Sequence, residues 1–126
     1  MQDDLDNPPL DLSYLTEMVG EDPEFIIEVF NTFIDQSSFY LNEMEKALQV
    51  EDWVMMSDCA HKIKPTFTYI GRNDVKDFIH TIETACKEEK GLNKMAESVN
   101  KLRVLMDQVY FQVEDAMAEI KAKYNI

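Results

Sequence analysis

A histidine on a helix surface can act as a nucleophile when its ring is neutral, open to solvent and close to a cation that steadies the anion it attacks. His61 meets those conditions on paper. It lies in the run Ala60-His61-Lys62-Ile63-Lys64-Pro65-Thr66-Phe67-Thr68-Tyr69-Ile70-Gly71. On an ideal helix Met56, Cys59, Ala60, Ile63, Phe67 and Ile70 share one apolar stripe, and His61 falls roughly 140° from its centre. His61 is therefore expected to face solvent from the middle of a long helix, with Lys64 one turn on along the same flank. An imidazole ordinarily titrates near about 6.5, so the neutral form is available to attack.

Most surface histidines carry no function, but two features set this one apart. Lys62, Lys64, Arg72 and Lys76 crowd the segment, with only Asp74 against them, in a strongly acidic chain. Val54, Pro65 and Tyr69 share the outward face with His61, and an apolar margin around one polar group suggests a docking surface.

These residues resemble the histidine-containing phosphotransfer (HPt) domain family. The family pattern is Ala-His-x-Leu-Lys-Gly, with a further Gly near the end of the helix. Ala60, His61, Ile63 in the leucine position, Lys64 and Gly71 fit it. The resemblance implies that His61 accepts a phosphoryl group from a receiver-domain aspartate and passes it to another. Lys64 would help to hold the phosphate. Polar residues of the following helix often lie near the histidine in this family, and Glu83 and Lys87 fall at the matching places. An ordinary surface Glu–Lys pair is the plain alternative for them.

Val54, Pro65, Thr68 and Tyr69 are the expected receiver contacts; packing of Val54 and Tyr69 against the short first helix or a neighbouring loop is the plain alternative. The implied partners are the receiver domains of a hybrid sensor kinase and of a response regulator. The receiver, not this chain, would bring Mg²⁺. The chain is then a phosphocarrier and not an enzyme. Pro65 departs from the pattern, where the family has Gly. Proline has no N–H and crowds the carbonyl four residues back, that of His61, so a local kink is expected. A docking module of the same fold that carries no phosphate is the competing reading.

Other chemistries fit poorly. Asp58-x-x-His61 and Asp77-x-x-His80 echo di-iron bundle ligands, but both pairs are expected to point outward, and the core stripes carry no carboxylate. No metal site is expected. There is no glycine-rich phosphate loop and no nucleophile elbow. His80 lacks a lysine three residues on and is not expected to accept phosphate. The net charge of −13 speaks against nucleic acid and anionic membranes. No apolar run reaches a membrane span and no signal-peptide pattern opens the chain. Cys59 and Cys86 fall on apolar stripes and read as small buried hydrophobes in a reducing cytoplasm. A cytoplasmic monomer is expected.

The scaffold reads as all-α: an antiparallel four-helix bundle with a short extra N-terminal helix. Residues 1–11, with four aspartates and Pro8-Pro9, read as a mobile lead-in, and 12–124 as the bundle domain. A short helix runs from Leu12 to Val19. Asp22-Pro23 starts the second helix, an N-cap followed by proline at the first helical position. The third is expected from Asp52 to Gly71, and the fourth from an Asn73 cap to Gly91. The fifth carries Leu92, Met95, Val99, Leu102, Met106, Val109, Val113, Ala116 and Ile120 at intervals of three and four residues, the seam of a packed helix.

Overall fold

The computed structural model describes residues 7–126, and all regular structure among them is helical. In chain order come α1 (Ser13–Val19), α2 (Pro23–Gln49), α3 (Trp53–Ile63), α4 (Thr66–Tyr69), α5 (Asn73–Glu88) and, after a 3₁₀ turn at Leu92–Lys94, α6 (Met95–Tyr124). Helices α2, α3, α5 and α6 pack in a closed ring, each against the next and α6 against α2.

Neighbouring helices run antiparallel, and cross-links of opposite sequence direction show it. Ser37 meets Tyr110 while Glu45, further along α2, meets Arg103, earlier in α6. Likewise His61 and then Lys64 on α3 meet Glu83 and then His80 on α5. The expected four-helix bundle with an extra N-terminal helix is the architecture observed.

Periodicity explains most of the core. Met56, Cys59, Ala60, Ile63, Phe67 and Ile70 are all buried, as are Phe30, Phe33, Leu41 and Met44 of α2 and the α6 seam from Met95 to Val113. Asp22 caps α2 by accepting from Glu24 N and Phe25 N, and Asp52 caps α3 by accepting from Met55 N. Each side chain answers amides that the first helical turn leaves without partners.

Three boundaries differ from expectation. Asn73 is the first residue of α5 and not its cap; Arg72 holds that position and makes no side-chain cap bond. Helix α5 ends at Glu88 and not Gly91, because Glu89 already takes a left-handed φ of 52° that stops the helical ladder. The third helix is divided in two. Pro65 has no amide proton for the His61 carbonyl, and beyond it the backbone tightens to three-residue steps, with Phe67 N donating to Lys64 O and Thr68 N to Pro65 O. Thr66 Oγ1 donates to the Ile63 carbonyl at 2.6 Å, answering one acceptor exposed by the break. Lys64 and Pro65 both keep right-handed helical dihedrals, so the chain is interrupted without being turned aside.

Of the expected lead-in, residues 1–6 lie outside the described residues. Residues 7–11 are strapped to the bundle. Asp11 N donates to Ile70 O at 3.0 Å. Gln112 Nε2 donates to Pro8 O at 2.7 Å, and Arg72 Nη1 donates to Asn7 Oδ1 at 3.1 Å. Arg72 is wholly buried and also donates twice to Asp74 and once to Gln112. Burial pushes the Asp74 carboxyl up, but its bonds from Arg72 prevail and hold it below the usual range.

Gly71 is what lets the strap lie so close. Its φ is +71°, and a Cβ there would collide with the carbonyl oxygen, Cα and Cβ of Asp11. Gly71→Ala should therefore lose stability on two counts: about 1–2 kcal/mol for the left-handed backbone, and more for the clash. Gly91 has a similar φ of +68° but faces open space, so Gly91→Ala isolates the backbone cost. Urea unfolding should show the larger loss in Gly71→Ala, with faster amide exchange at Asp11. Equal losses in the two variants would mean that the strap does not depend on Gly71.

Candidate functional site

The site is built where the end of α3 lies across the middle of α5. His61 projects outward, its side chain 69 % exposed. Behind it stands Glu83, only 3 % exposed, a carboxylate buried between the two helices. Sequence reasoning places Glu83 beside the core stripe of α5 and leaves open an ordinary surface pair with Lys87. The structure shows both features together. The pair exists, Lys87 Nζ to Glu83 Oε2 at 2.9 Å, but Glu83 is the buried hub of a larger cluster.

Three groups converge on that hub. His61 Nδ1 lies 3.1 Å from Glu83 Oε2. Lys64 Nζ lies 2.5 Å from Glu83 Oε1, and its side chain is only 16 % exposed. Lys64 is thus held against the α3–α5 interface and does not stand as an open surface cation. Lys64 Nζ also donates to His80 Nδ1 at 3.0 Å. His80, 62 % exposed, therefore helps to aim the lysine, a link that sequence reasoning missed. Two residues three apart on α5, His80 and Glu83, facing His61 and Lys64 three apart on α3, was the signal available.

Electrostatics fix the protonation pattern. Burial pushes the Glu83 carboxyl up, yet the hydrogen bonds and charges of Lys64 and Lys87 outweigh it and bring it from an ordinary 4.5 down to about 2. An ionised carboxylate only accepts hydrogen bonds. The proton on the His61 ring therefore sits on Nδ1, donated to Glu83, and in the neutral imidazole Nε2 carries the free lone pair. With both imidazoles neutral, one carboxylate and two ammoniums leave the cluster with a net charge of about +1. That favours an anion at the His61 face.

The remaining predicted residues divide. Val54 is 74 % exposed and Pro65 is exposed on the far side of His61. Thr68 is half-buried and its hydroxyl accepts from Lys76 Nζ at 3.2 Å. Tyr69 is not an open contact: its ring packs 5.8 Å from that of Tyr14 on α1, and it is half-buried against the core. The basic strip around His61 is also thinner than the sequence suggests, because Arg72 is spent inside the protein. No group of three or more His, Cys, Asp or Glu side chains able to hold a metal occurs among the described residues. Nor is any helix among them long and apolar enough to cross a membrane. Cys59 and Cys86 are buried free thiols whose burial raises their pKa.

The chain belongs to the Hpt domain family, whose model matches residues 28–123, from the second turn of α2 almost to the end of α6. Hpt domains are phosphocarrier modules that interact with receiver domains and serve histidine phosphotransfer in phosphorelays. Neither a curated protein nor a solved structure matches the chain.

The depressed Glu83 carboxyl has a measurable consequence. A carboxyl whose folded pKa lies below its unfolded value stabilises the fold fully above the unfolded value and loses that contribution as pH falls through the folded one. For Glu83 the window runs from about pH 5 to about pH 2. The stability gap between the native protein and Glu83→Gln should narrow by about 3 kcal/mol across it. Urea unfolding of both proteins at matched pH checks this. A gap independent of pH would mean that Glu83 is not held ionised by its lysines.

Proposed function

We propose that His61 accepts a phosphoryl group at Nε2 from the phosphorylated aspartate of one receiver domain and passes it to the aspartate of another. The observation that carries this reading is the exposed His61 ring with its Nδ1–H bonded to buried, ionised Glu83. The Nε2 lone pair attacks phosphorus, the bond from phosphorus to the aspartyl oxygen breaks, and the aspartate leaves as a carboxylate. No proton has to move. The ring becomes a phosphorylated imidazolium that keeps its proton on Nδ1, and the Glu83 carboxylate 3.1 Å away stabilises the charge that develops.

The phosphoryl group adds roughly −1.5 to −2 charges to the site. Lys64 is ion-paired to Glu83 and donates one N–H to His80, which leaves N–H donors available to the phosphoryl oxygens. Lys64 thus serves twice, holding Glu83 ionised and offsetting the new charge. The Mg²⁺ that phosphoryl transfer needs belongs to the receiver, which supplies most of the electrostatic stabilisation. Val54 and Pro65, exposed on either side of His61, are the apolar contacts of the docked receiver, with Thr68 and Tyr69 contributing at the edge. The receivers in question are those of a hybrid sensor kinase and a response regulator, met by a monomer in the cytoplasm.

The rival reading, a docking module without phosphate, rests on Pro65. The observed break argues against it, since Lys64 and Pro65 remain helical in their dihedrals and the His61–Glu83 bond lies intact across the interface. A phosphorylated receiver with Mg²⁺ separates the two. His61→Gln should abolish acid-labile labelling while leaving helicity unchanged, and His80→Gln should still be labelled. Labelling that persists in His61→Gln would overturn the assignment.

A further inference from the structure

A cavity of about 490 Å³ opens one helical turn before His61, between the start of α3 and the end of α5. Its walls include Trp53, Val54, Ser57 and Asp58 on α3 and Cys86, Lys87 and Glu89 at the end of α5. Glu51 and Asp52, on the turn before α3, complete the rim. Neither the Glu83 cluster nor the chemistry at His61 requires this space.

Three observations define what it would hold. The first is charge. Glu51, Asp52, Asp58 and Glu89 face one cation, Lys87, whose ammonium is already bonded to Glu83 at 2.9 Å. Asp52 is engaged in capping α3, whereas Glu51, Asp58 and Glu89 make no ion pair among the described residues. An anion is repelled here and a cation is drawn in. The second is an unanswered polar group. Ser57 is 4 % exposed, and its Oγ has no hydrogen-bond partner. The other buried oxygen without a hydrogen bond among the described residues, Glu83 Oε1, is ion-paired to Lys64, so Ser57 Oγ is the one with nothing to meet. The third is the half-buried indole of Trp53 in the wall.

We propose that this cavity is a subsite for an arginine side chain of the protein that docks over His61. A guanidinium fits the three observations together. It is cationic, it is weakly hydrated enough to enter a half-apolar cleft, and its flat face stacks on an indole. Its fork of N–H donors suits a carboxylate such as Asp58, and a rotation of the Ser57 side chain would bring its enclosed hydroxyl to the same fork. An ammonium has the charge but not the planar face or the fork. The position supplies a purpose: Ser57 and Asp58 lie four and three residues before His61 on the same helix, so an arginine seated there fixes the docked protein one turn from the phosphoryl acceptor. Partners without an arginine at that edge leave Ser57 and the carboxylates unanswered, which makes the cavity a determinant of partner choice.

The proposal rests on the phosphotransfer reading only for the identity of the protein that brings the arginine. Trp53 is the single tryptophan of the chain, so its fluorescence reports on this cavity alone. Titration of the native protein with N-acetylarginine amide, at constant ionic strength and with no receiver present, should change Trp53 emission saturably at millimolar concentration. N-acetyllysine amide should bind several-fold more weakly, and the neutral citrulline analogue should have no effect. The double variant Asp58→Asn/Glu89→Gln, altered only at exposed positions and checked for an unchanged melting temperature, should lose the arginine response. No saturable change up to roughly 100 mM, where a millimolar site would be filled, overturns the proposal. An equal response to citrulline, or a full response in the double variant, overturns it as well. Because no phosphoryl donor is involved, failure here leaves His61 labelling untouched, and failure of labelling leaves this result standing.

Discussion

The carboxylate of Glu83 is the constraint on which the site depends. Burying a carboxylate costs several kcal/mol unless charged partners surround it closely. Here the partners come from two helices: Lys64 and His61 from α3, Lys87 from its own α5. The cluster therefore ties α3 to α5 through charge, beside the apolar seam. The same carboxylate dictates which nitrogen of His61 holds the proton. Position, tautomer and local charge thus follow from one buried oxygen pair.

The rest of the molecule keeps that arrangement rigid. Proline after Lys64 ends the regular ladder of α3, which would free the segment that follows. The three-residue steps of α4, the Thr66 hydroxyl on the Ile63 carbonyl and the burial of Phe67 and Ile70 recover the contacts. Residues 7–11 then lie across Gly71, tied down by Asp11 and by the buried Arg72. A proline that removes an amide donor beside His61 is therefore absorbed within one turn, and the helix carrying His61 keeps its place on α5.

The bundle was legible in the sequence because burial on a helix repeats with the helical period, and Met56, Cys59, Ile63 and Phe67 report that period without tertiary information. His61 was legible for the opposite reason, as an imidazole off the stripe with a lysine one turn on. Charged residues that fold inward carry no such signal. Arg72 reads as part of a basic surface because its partners Asn7 and Gln112 are far away in the chain. Glu83 sits at the margin of its stripe, where only the facing helix decides between solvent and core. Tyr69 keeps the outward phase of an unbroken helix in any periodic reading, but α1 packs over that face and sets Tyr14 against it. Helix ends depended on single backbone torsions, such as the left-handed Glu89, which residue type alone does not announce.

The central claim is that Glu83 holds the neutral His61 ring with its proton on Nδ1 and presents Nε2 to the phosphoryl donor. Nitrogen-15 spectra of the imidazole side chains, recorded above the titration range of the rings, read this directly. The account predicts a protonated Nδ1 and a bare Nε2 on His61, lost or mixed in Glu83→Leu, with phosphorus bonded to Nε2 after transfer. A His61 ring protonated on Nε2 in the native protein, or phosphorus on Nδ1, would contradict it.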